Sequence, residues 1–263
     1  VMHISIVTVC LDNPFLERTI ASVIDQSYPN YTHLIIDGGS KNPVTLDTIG
    51  KYRNTEKISI LAEKDDGIYD AMNKGIQRSN GDYLIFLNAG DAFYSGESLQ
   101  WFVNNYDNHD IVYGDLEFVN PESNFKVSFP DKLSFSFFMK SSLPHPACFI
   151  NRTVFEKAGM YDTSMRVAAD WAFFLKAIAL HQASYKHIAF VISVFDHGGV
   201  SSQPQNQPLI EGEKNAFLKR YFPLFTDDYA TYEKAEQKLN NFRNSRLRKY
   251  LSFVFSVLKF PEN

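Results

Sequence analysis

Three aspartates of this chain stand where an apolar run breaks into a polar turn or opens a helix, positions from which a carboxylate can reach a ligand. The sharpest is Asp91, because Tyr83-Leu84-Ile85-Phe86-Leu87 ends in Asn88-Ala89-Gly90-Asp91. A divalent cation bridging two phosphates takes oxygen ligands, so a single carboxylate there could help hold it; the same string could also make a tight turn with no ligand. Asp37 is followed by Gly38-Gly39-Ser40. Positive φ at the glycines would let the backbone approach a ligand while Asp37 accepts an N–H from a base or an O–H from a ribose, or else caps its own turn. Thr8, at the end of an earlier apolar run, could donate to the same base.

Asp170 opens a predicted helix, Asp170 to Leu180, whose Phe173, Phe174, Ala177 and Ile178 face the core. Its carboxylate is then either an N-cap or a base placed to take a proton from an attacking hydroxyl. His145 is bracketed by Pro144 and Pro146, and His197 precedes Gly198-Gly199. Each is rigidly placed, for a structural hydrogen bond or for contact with phosphate, metal or acceptor. The run from Glu63 to Gly75 crowds ionisable groups where a strand passes into a helix, with Asp65 or Asp66 expected as its N-cap. Asp70, Asn73 and Lys74 oppose or flank the apolar stripe Ile68, Met72, Ile76 and so face a cleft or water.

The elements that must position these groups alternate. Strands are expected at Ile4 to Val9, His33 to Ile36, Ile58 to Leu61 and from Tyr83, with helices at Glu17 to Gln26, Thr45 to Tyr52 and Gly67 to Arg78 between them. That is the pattern of βαβ units and a mostly parallel sheet. Further strands at Asp110 to Tyr113, Leu116 to Phe118, Lys126 to Phe129, Ala147 to Ile150 and His187 to Phe195 would extend the sheet as a mixed, partly antiparallel edge. Beyond Pro208 the chain reads as helical.

Composition narrows the partners. With 26 basic and 30 acidic side chains in 263 residues, the net charge of −4 argues against nucleic acid. Cys10 and Cys148 have apolar surroundings and no CxxC spacing, so buried free thiols of a reducing, cytoplasmic compartment are expected. No uninterrupted apolar stretch is long enough to span a membrane, and no secretory signal is expected; Val1 reads as a remnant before a native start at Met2. The last stretch, Arg243 to Phe260, sets Arg243, Arg246, Arg248 and Lys249 beside Leu251, Phe253, Val254 and Phe255. Such a tail suits either peripheral contact with anionic lipid at the inner face of the membrane or packing on the domain or a second subunit as a homodimer.

Taken in order, the motifs resemble a family 2 glycosyltransferase of the GT-A fold. Ser5-Ile6-Val7-Thr8-Val9 with Asn13 is similar to that family's first strand, Ile36-Asp37-Gly38-Gly39-Ser40 to its base-contacting strand end, and Glu63 to Gly75 to the helix start beside the nucleotide. Phe86 to Asp91 resembles the metal-binding acidic motif, His145-Pro146-Ala147-Cys148-Phe149 the acceptor loop, and Ala168-Ala169-Asp170-Trp171 the catalytic-base helix. The resemblance implies a nucleotide-diphospho-sugar transferase-like α/β fold: a mixed, mainly parallel sheet flanked by helices over residues 1–202, a nucleotide half of about 1–92 and an acceptor half of about 93–202, followed by a helical extension over 203–263. It also implies an inverting transfer from a nucleoside-diphosphate sugar, with UDP expected, to a glycan or lipid-linked glycan in surface polysaccharide biosynthesis. Asp170 would be the base and Asp91 the ligand of Mn²⁺ or Mg²⁺; Thr8, Asp37, Asp65, Asn73, Lys74, Asn88 and Ala89 would lie on the nucleotide-sugar, and His145, Trp171 and His197 on the acceptor or phosphate side.

The acidic motif is thin, with Asn88 and Gly90 where further carboxylates often stand, and Ala169 replaces the glutamate that commonly precedes the base. A catalytically degenerate nucleotide-sugar or glycan-binding relative is therefore the competing reading. A nicotinamide-dependent dehydrogenase would need a GxGxxG turn after the first strand, where Val9-Cys10-Leu11-Asp12-Asn13-Pro14 has none. A sugar nucleotidyltransferase would need a glycine- and arginine-rich phosphate loop near the N-terminus, which is also missing.

Overall fold

A computed structural model describes residues 1–119, 124–196 and 203–244. His197, the Gly198-Gly199 break and the basic, apolar tail beyond 244 lie outside the described residues.

The first half alternates as its sequence pattern requires: β1 (Ile4–Cys10), α1 (Leu16–Ile24), β2 (Tyr31–Asp37), α2 (Pro43–Tyr52), β3 (Ile58–Ala62), α3 (Ile68–Arg78) and β4 (Tyr83–Phe86). All of β1 is buried, which is why it lacks the alternation of a half-exposed strand. It pairs in parallel with β2 on one side, Cys10 opposite Asp37, and with β4 on the other, Val7 opposite Phe86. Ile4 and Ile6 pack with Val23, Ile85 and Phe102 on one face. On the other face α3 lies so close that a Cβ on Gly75 would fall 2.4 Å from Val7 Cγ1. The absent side chain is what lets the helix approach.

Then follow β5 (Ala92–Phe93), α4 (Ser98–Asn105), β6 (Ile111–Val119), β7 (Asn124–Val127), α5 (Phe135–Lys140), β8 (Cys148–Asn151), α6 (Arg152–Ala158), α7 (Ala169–Ala179), β9 (Tyr185–Asp196), α8 (Gln207–Tyr221) and α9 (Pro223–Asn244). The strands form one sheet in the order β3-β2-β1-β4-β8-β6-β9-β5, with β7 paired to β6. The expected antiparallel extension is present, but β8 is inserted between β4 and β6 and is not an edge.

Two corrections concern β6 and α3. The expected pair Asp110 to Tyr113 and Leu116 to Phe118 is a single strand, whose register against β9 shifts between Tyr113 and Leu116. Gly114 marks that irregularity, since a Cβ there would come within 2.6 Å of the Phe190 carbonyl oxygen. In α3 the buried face is Tyr69, Met72, Asn73 and Ile76, whereas Ile68 is 39% exposed. Neither Asp65 nor Asp66 caps this helix; Gly67 occupies the N-cap at φ 124° without a side-chain bond. The short helices α4, α5 and α6 were not expected, because 8, 6 and 7 residues carry too little periodicity to register.

By contacts the chain divides into Val1–Glu213 and Lys214–Asn263. The second unit holds the end of α8 and all of α9, with the Phe217 ring 4.7 Å from that of Tyr221. No helix among the described residues is long and apolar enough to cross a membrane. Both cysteines are free and buried, as expected.

Candidate active site

The chain leaves β1 towards β2 and β3, then returns to the opposite side of β1 as β4. At such a switch point the loops leaving adjacent parallel strands diverge, and a crevice opens at the carboxyl ends. Here it is a cleft of about 440 Å³, within the range of small-molecule sites. Val9, Cys10 and Asn13, at and beyond the end of β1, line it together with Asn88 and Ala89, which follow β4. Met72 of α3 adds an apolar wall, while His145, Arg166 and Asp170 contribute polar groups.

The Asn88-Ala89-Gly90-Asp91 turn is held from three directions. The Ala89 N–H bonds the Val9 carbonyl at 3.1 Å, and Asn13 Nδ2 donates to the Ala89 carbonyl at 2.7 Å. Thr19 of α1 accepts from the Gly90 N–H at 2.9 Å and donates to the Asp91 carbonyl at 2.6 Å. Gly90 has φ 105°, which explains the glycine at that position. Asp91 is buried behind this turn, and Asn88 Oδ1 is a buried acceptor with no hydrogen-bond partner. A buried acceptor left without a donor is uncommon and calls for a partner such as water or an ion. Among the described residues no group of three His, Cys, Asp or Glu side chains converges as a metal cage. Asn88 lines the cleft, whereas Asp91, expected as the metal ligand, is 4% exposed and is not among its lining residues; oxygen donors of this kind suit a hard cation that shares a diphosphate's oxygens.

Asp170 sits half-buried in the first turn of α7 and lines the cleft. Its Oδ1 lies 3.0 Å from the Tyr69 hydroxyl, which is also 2.7 Å from the Val167 carbonyl oxygen. Burial pushes the Tyr69 phenol well above its ordinary pKa, and the charge of Asp170 adds to the shift, so Tyr69 remains a proton donor. His145 stacks on Phe86 with centroids 5.2 Å apart, and its Nε2 is 3.3 Å from the Tyr161 hydroxyl. Burial lowers its pKa against the opposing pull of Asp170, which favours the neutral ring. Cys10 is no nucleophile, because burial raises its thiol to about 11.

Of the residues read from the sequence, Asp65, Asn88, Ala89, His145 and Asp170 line this one cleft. Asp65 accepts from the Gly67 N–H at 3.1 Å, and its carboxylate lies where a Cβ on Gly38 would stand, 2.3 Å away. Gly38 leaves room for the Asp65 carboxylate, and only Gly39 of that pair has a positive φ, 92°. Others are turned away. Thr8 bonds His33 Nε2 at 2.8 Å and is wholly buried. Asp37 is 2% exposed and accepts from the N–H and hydroxyl of Ser40, so it closes its own turn. Asn73 exchanges two bonds with the backbone of Tyr161, at 2.9 and 3.0 Å. Lys74 is tied to Glu63 and Asp70, both at 3.2 Å. Trp171 is 2% exposed and donates to the Phe138 carbonyl at 2.7 Å, which places it in the core. Tyr69 and Arg166 were missed; an aromatic in the first helical turn after the acidic Asp65-Asp66 pair was the available signal for Tyr69, and Arg166 had none.

A crevice of this kind over a mixed sheet, with a carboxylate on a helix start across from a polar turn, is the arrangement of the GT-A glycosyltransferases. The sequence pattern of Glycosyl transferase family 2 matches residues 5–159, and the chain belongs to that family. A PGL/p-HBAD biosynthesis glycosyltransferase of Mycobacterium tuberculosis is 29% identical over 218 residues, covering 80% of each chain. An uncharacterized glycosyltransferase of the same organism is 31% identical over 208 residues, 76% of this chain and 77% of that one. Among solved structures, TarS of S. aureus in complex with UDP-GlcNAc superposes with a TM-score of 0.60 at 17% identity, covering 74% of this chain and 58% of that chain. TarS with UDP gives 0.60 at 15% identity, over 84% and 72%. The chain thus spans about three fifths of the TarS chain first matched, and the likeness concerns the fold.

Proposed function

We propose that this chain transfers a sugar, with inversion at the anomeric carbon, from a UDP-linked donor to a hydroxyl of a glycan or lipid-linked glycan in surface polysaccharide biosynthesis. The supporting observation is the cleft itself: at the carboxyl ends of β1 and β4, the half-buried carboxylate of Asp170, on a helix start, lines one pocket together with Asp65, Asn88 and Arg166. The acceptor O–H gives its proton to Asp170 as its oxygen attacks the anomeric carbon. The bond from that carbon to the diphosphate breaks, and the electron pair leaves with the nucleotide. Arg166, exposed on the cleft wall, offers positive charge to the departing phosphates. The mycobacterial relatives are named as glycosyltransferases, which supports the reaction class, and the TarS complex with UDP-GlcNAc supports the donor class.

Asn88 and Asp91 would hold Mn²⁺ or Mg²⁺ together with the diphosphate, and such an ion supplies charge neutralisation on the leaving group. Thermal unfolding with UDP checks this without turnover. A ligand at about 100 times its dissociation constant adds about 2.7 kcal/mol, so UDP is expected to raise the melting temperature, and more strongly with Mn²⁺ than with EDTA. In Asp91→Ala the increment from Mn²⁺ disappears. An increment equal to wild type in that variant would remove Asp91 as a ligand; binding of UDP-sugars with no turnover at all would favour the degenerate reading.

A further inference from the structure

The start of α7 is capped from outside its own segment. Ala168, the N-cap residue, makes no side-chain capping bond. Instead the carboxylate of Glu213, on α8, accepts three consecutive backbone N–H groups: Arg166 at 2.6 Å, Val167 at 3.1 Å and Ala168 at 2.9 Å. An anion over unpaired N–H groups at a helix start is a strong anchor, because it satisfies the donors and meets the positive end of the helix dipole. The Val167 peptide is also gripped from its other side, where Tyr69 reaches the carbonyl oxygen at 2.7 Å. The same hydroxyl lies 3.0 Å from Asp170 Oδ1. One peptide unit is thus fixed by α8 through its N–H and by α3 through its C=O, directly before the turn that carries the carboxylate.

We propose that Glu213 is a positioning residue for Asp170: it acts through the 166–168 backbone and, with Tyr69, sets the direction of the carboxylate into the cleft. This rests on the transferase reading, but its first consequence is independent of turnover. Asp170 and Glu213 both lie beyond residues 5–159, the span matched by the family. Capping for stability alone would explain the three hydrogen bonds. It would not explain why the peptide they fix is the one that Tyr69 also holds while reaching Asp170.

The test uses the full chain carrying Glu213→Ala or, as the gentler change, Glu213→Gln. Hydrogen exchange read by mass spectrometry is expected to accelerate about tenfold or more in the peptide covering 166–168 in Glu213→Ala, and to be slowed again by sodium formate but not by sodium chloride of equal ionic strength, because formate can refill the vacated anchor. UDP release from UDP-N-acetylglucosamine, with water as acceptor, should fall about tenfold in kcat while the KM for the donor stays within about twofold, and formate should restore kcat. Exchange at 166–168 equal to wild type in both variants overturns the clamp. Accelerated exchange with wild-type kcat overturns the positioning role, and so does a loss of kcat that formate leaves untouched while the melting temperature falls. If the wild-type chain releases no UDP either with water or with an added glycan acceptor, the transferase reading fails on its own, and the exchange result still decides the clamp.

Discussion

Asp170→Asn is expected to lower turnover by about 100-fold or more while leaving UDP affinity within about twofold of wild type, since a positioned general base contributes about 10² to 10⁴ in rate. The substitution is nearly isosteric. An amide oxygen can still accept from Tyr69, 3.0 Å from Oδ1 in the native chain, so the local geometry should persist. What disappears is the capacity to take the acceptor proton. On the proposed reading donor binding falls to other groups that line the cleft, Asn88 and Ala89 among them, and should not change. Single-turnover release of UDP and calorimetric titration with UDP separate the two quantities. Turnover close to wild type would assign the base elsewhere; a parallel loss of UDP affinity would make Asp170 a binding group.

The second large effect concerns stability. Phe86→Ala is expected to cost about 3 to 5 kcal/mol, the usual range for emptying a fully buried aromatic site. Phe86 has no exposed surface and ends β4 immediately before the cleft turn. Its ring stacks on His145 at 5.2 Å and meets Tyr161 edge-on at 5.5 Å and Phe155 at 6.2 Å. Those neighbours cannot collapse into the void without moving β4, which is paired with both β1 and β8. The loss therefore reaches the site, because His145 would lose the surface that fixes its ring. Urea unfolding followed by circular dichroism measures it, and a change below about 1 kcal/mol would mean that the cluster repacks freely.

The parallel half of the fold was legible because each strand ends in its own signal. Asp37-Gly38-Gly39 closes β2 and Asn88-Ala89-Gly90 closes the β4 run, both at the carboxyl edge where the cleft opens. The second half was harder. Gly114 reads as a strand end in sequence, whereas β6 continues through it with a shifted register, which depends on where β9 lies. Side-chain direction was the other gap. Thr8, Asp37, Asn73 and Trp171 carry the right chemistry at the right places in the chain, yet His33, Ser40, Tyr161 and Phe138 engage them internally. Sequence placed the groups near the cleft, but only tertiary contacts decide which of them turn into it. Glu213 is the extreme case. Its bonds to Arg166, Val167 and Ala168 join segments with no shared local pattern.

A crystal structure of the chain with a UDP-sugar and Mn²⁺ tests the central claim, that one cleft holds the donor and presents it to Asp170. The diphosphate is expected beside Asn88 and Arg166, with the anomeric carbon turned towards Asp170 and room between them for an acceptor hydroxyl. A nucleotide seated elsewhere on the molecule, or a sugar whose anomeric carbon faces away from Asp170, would contradict it.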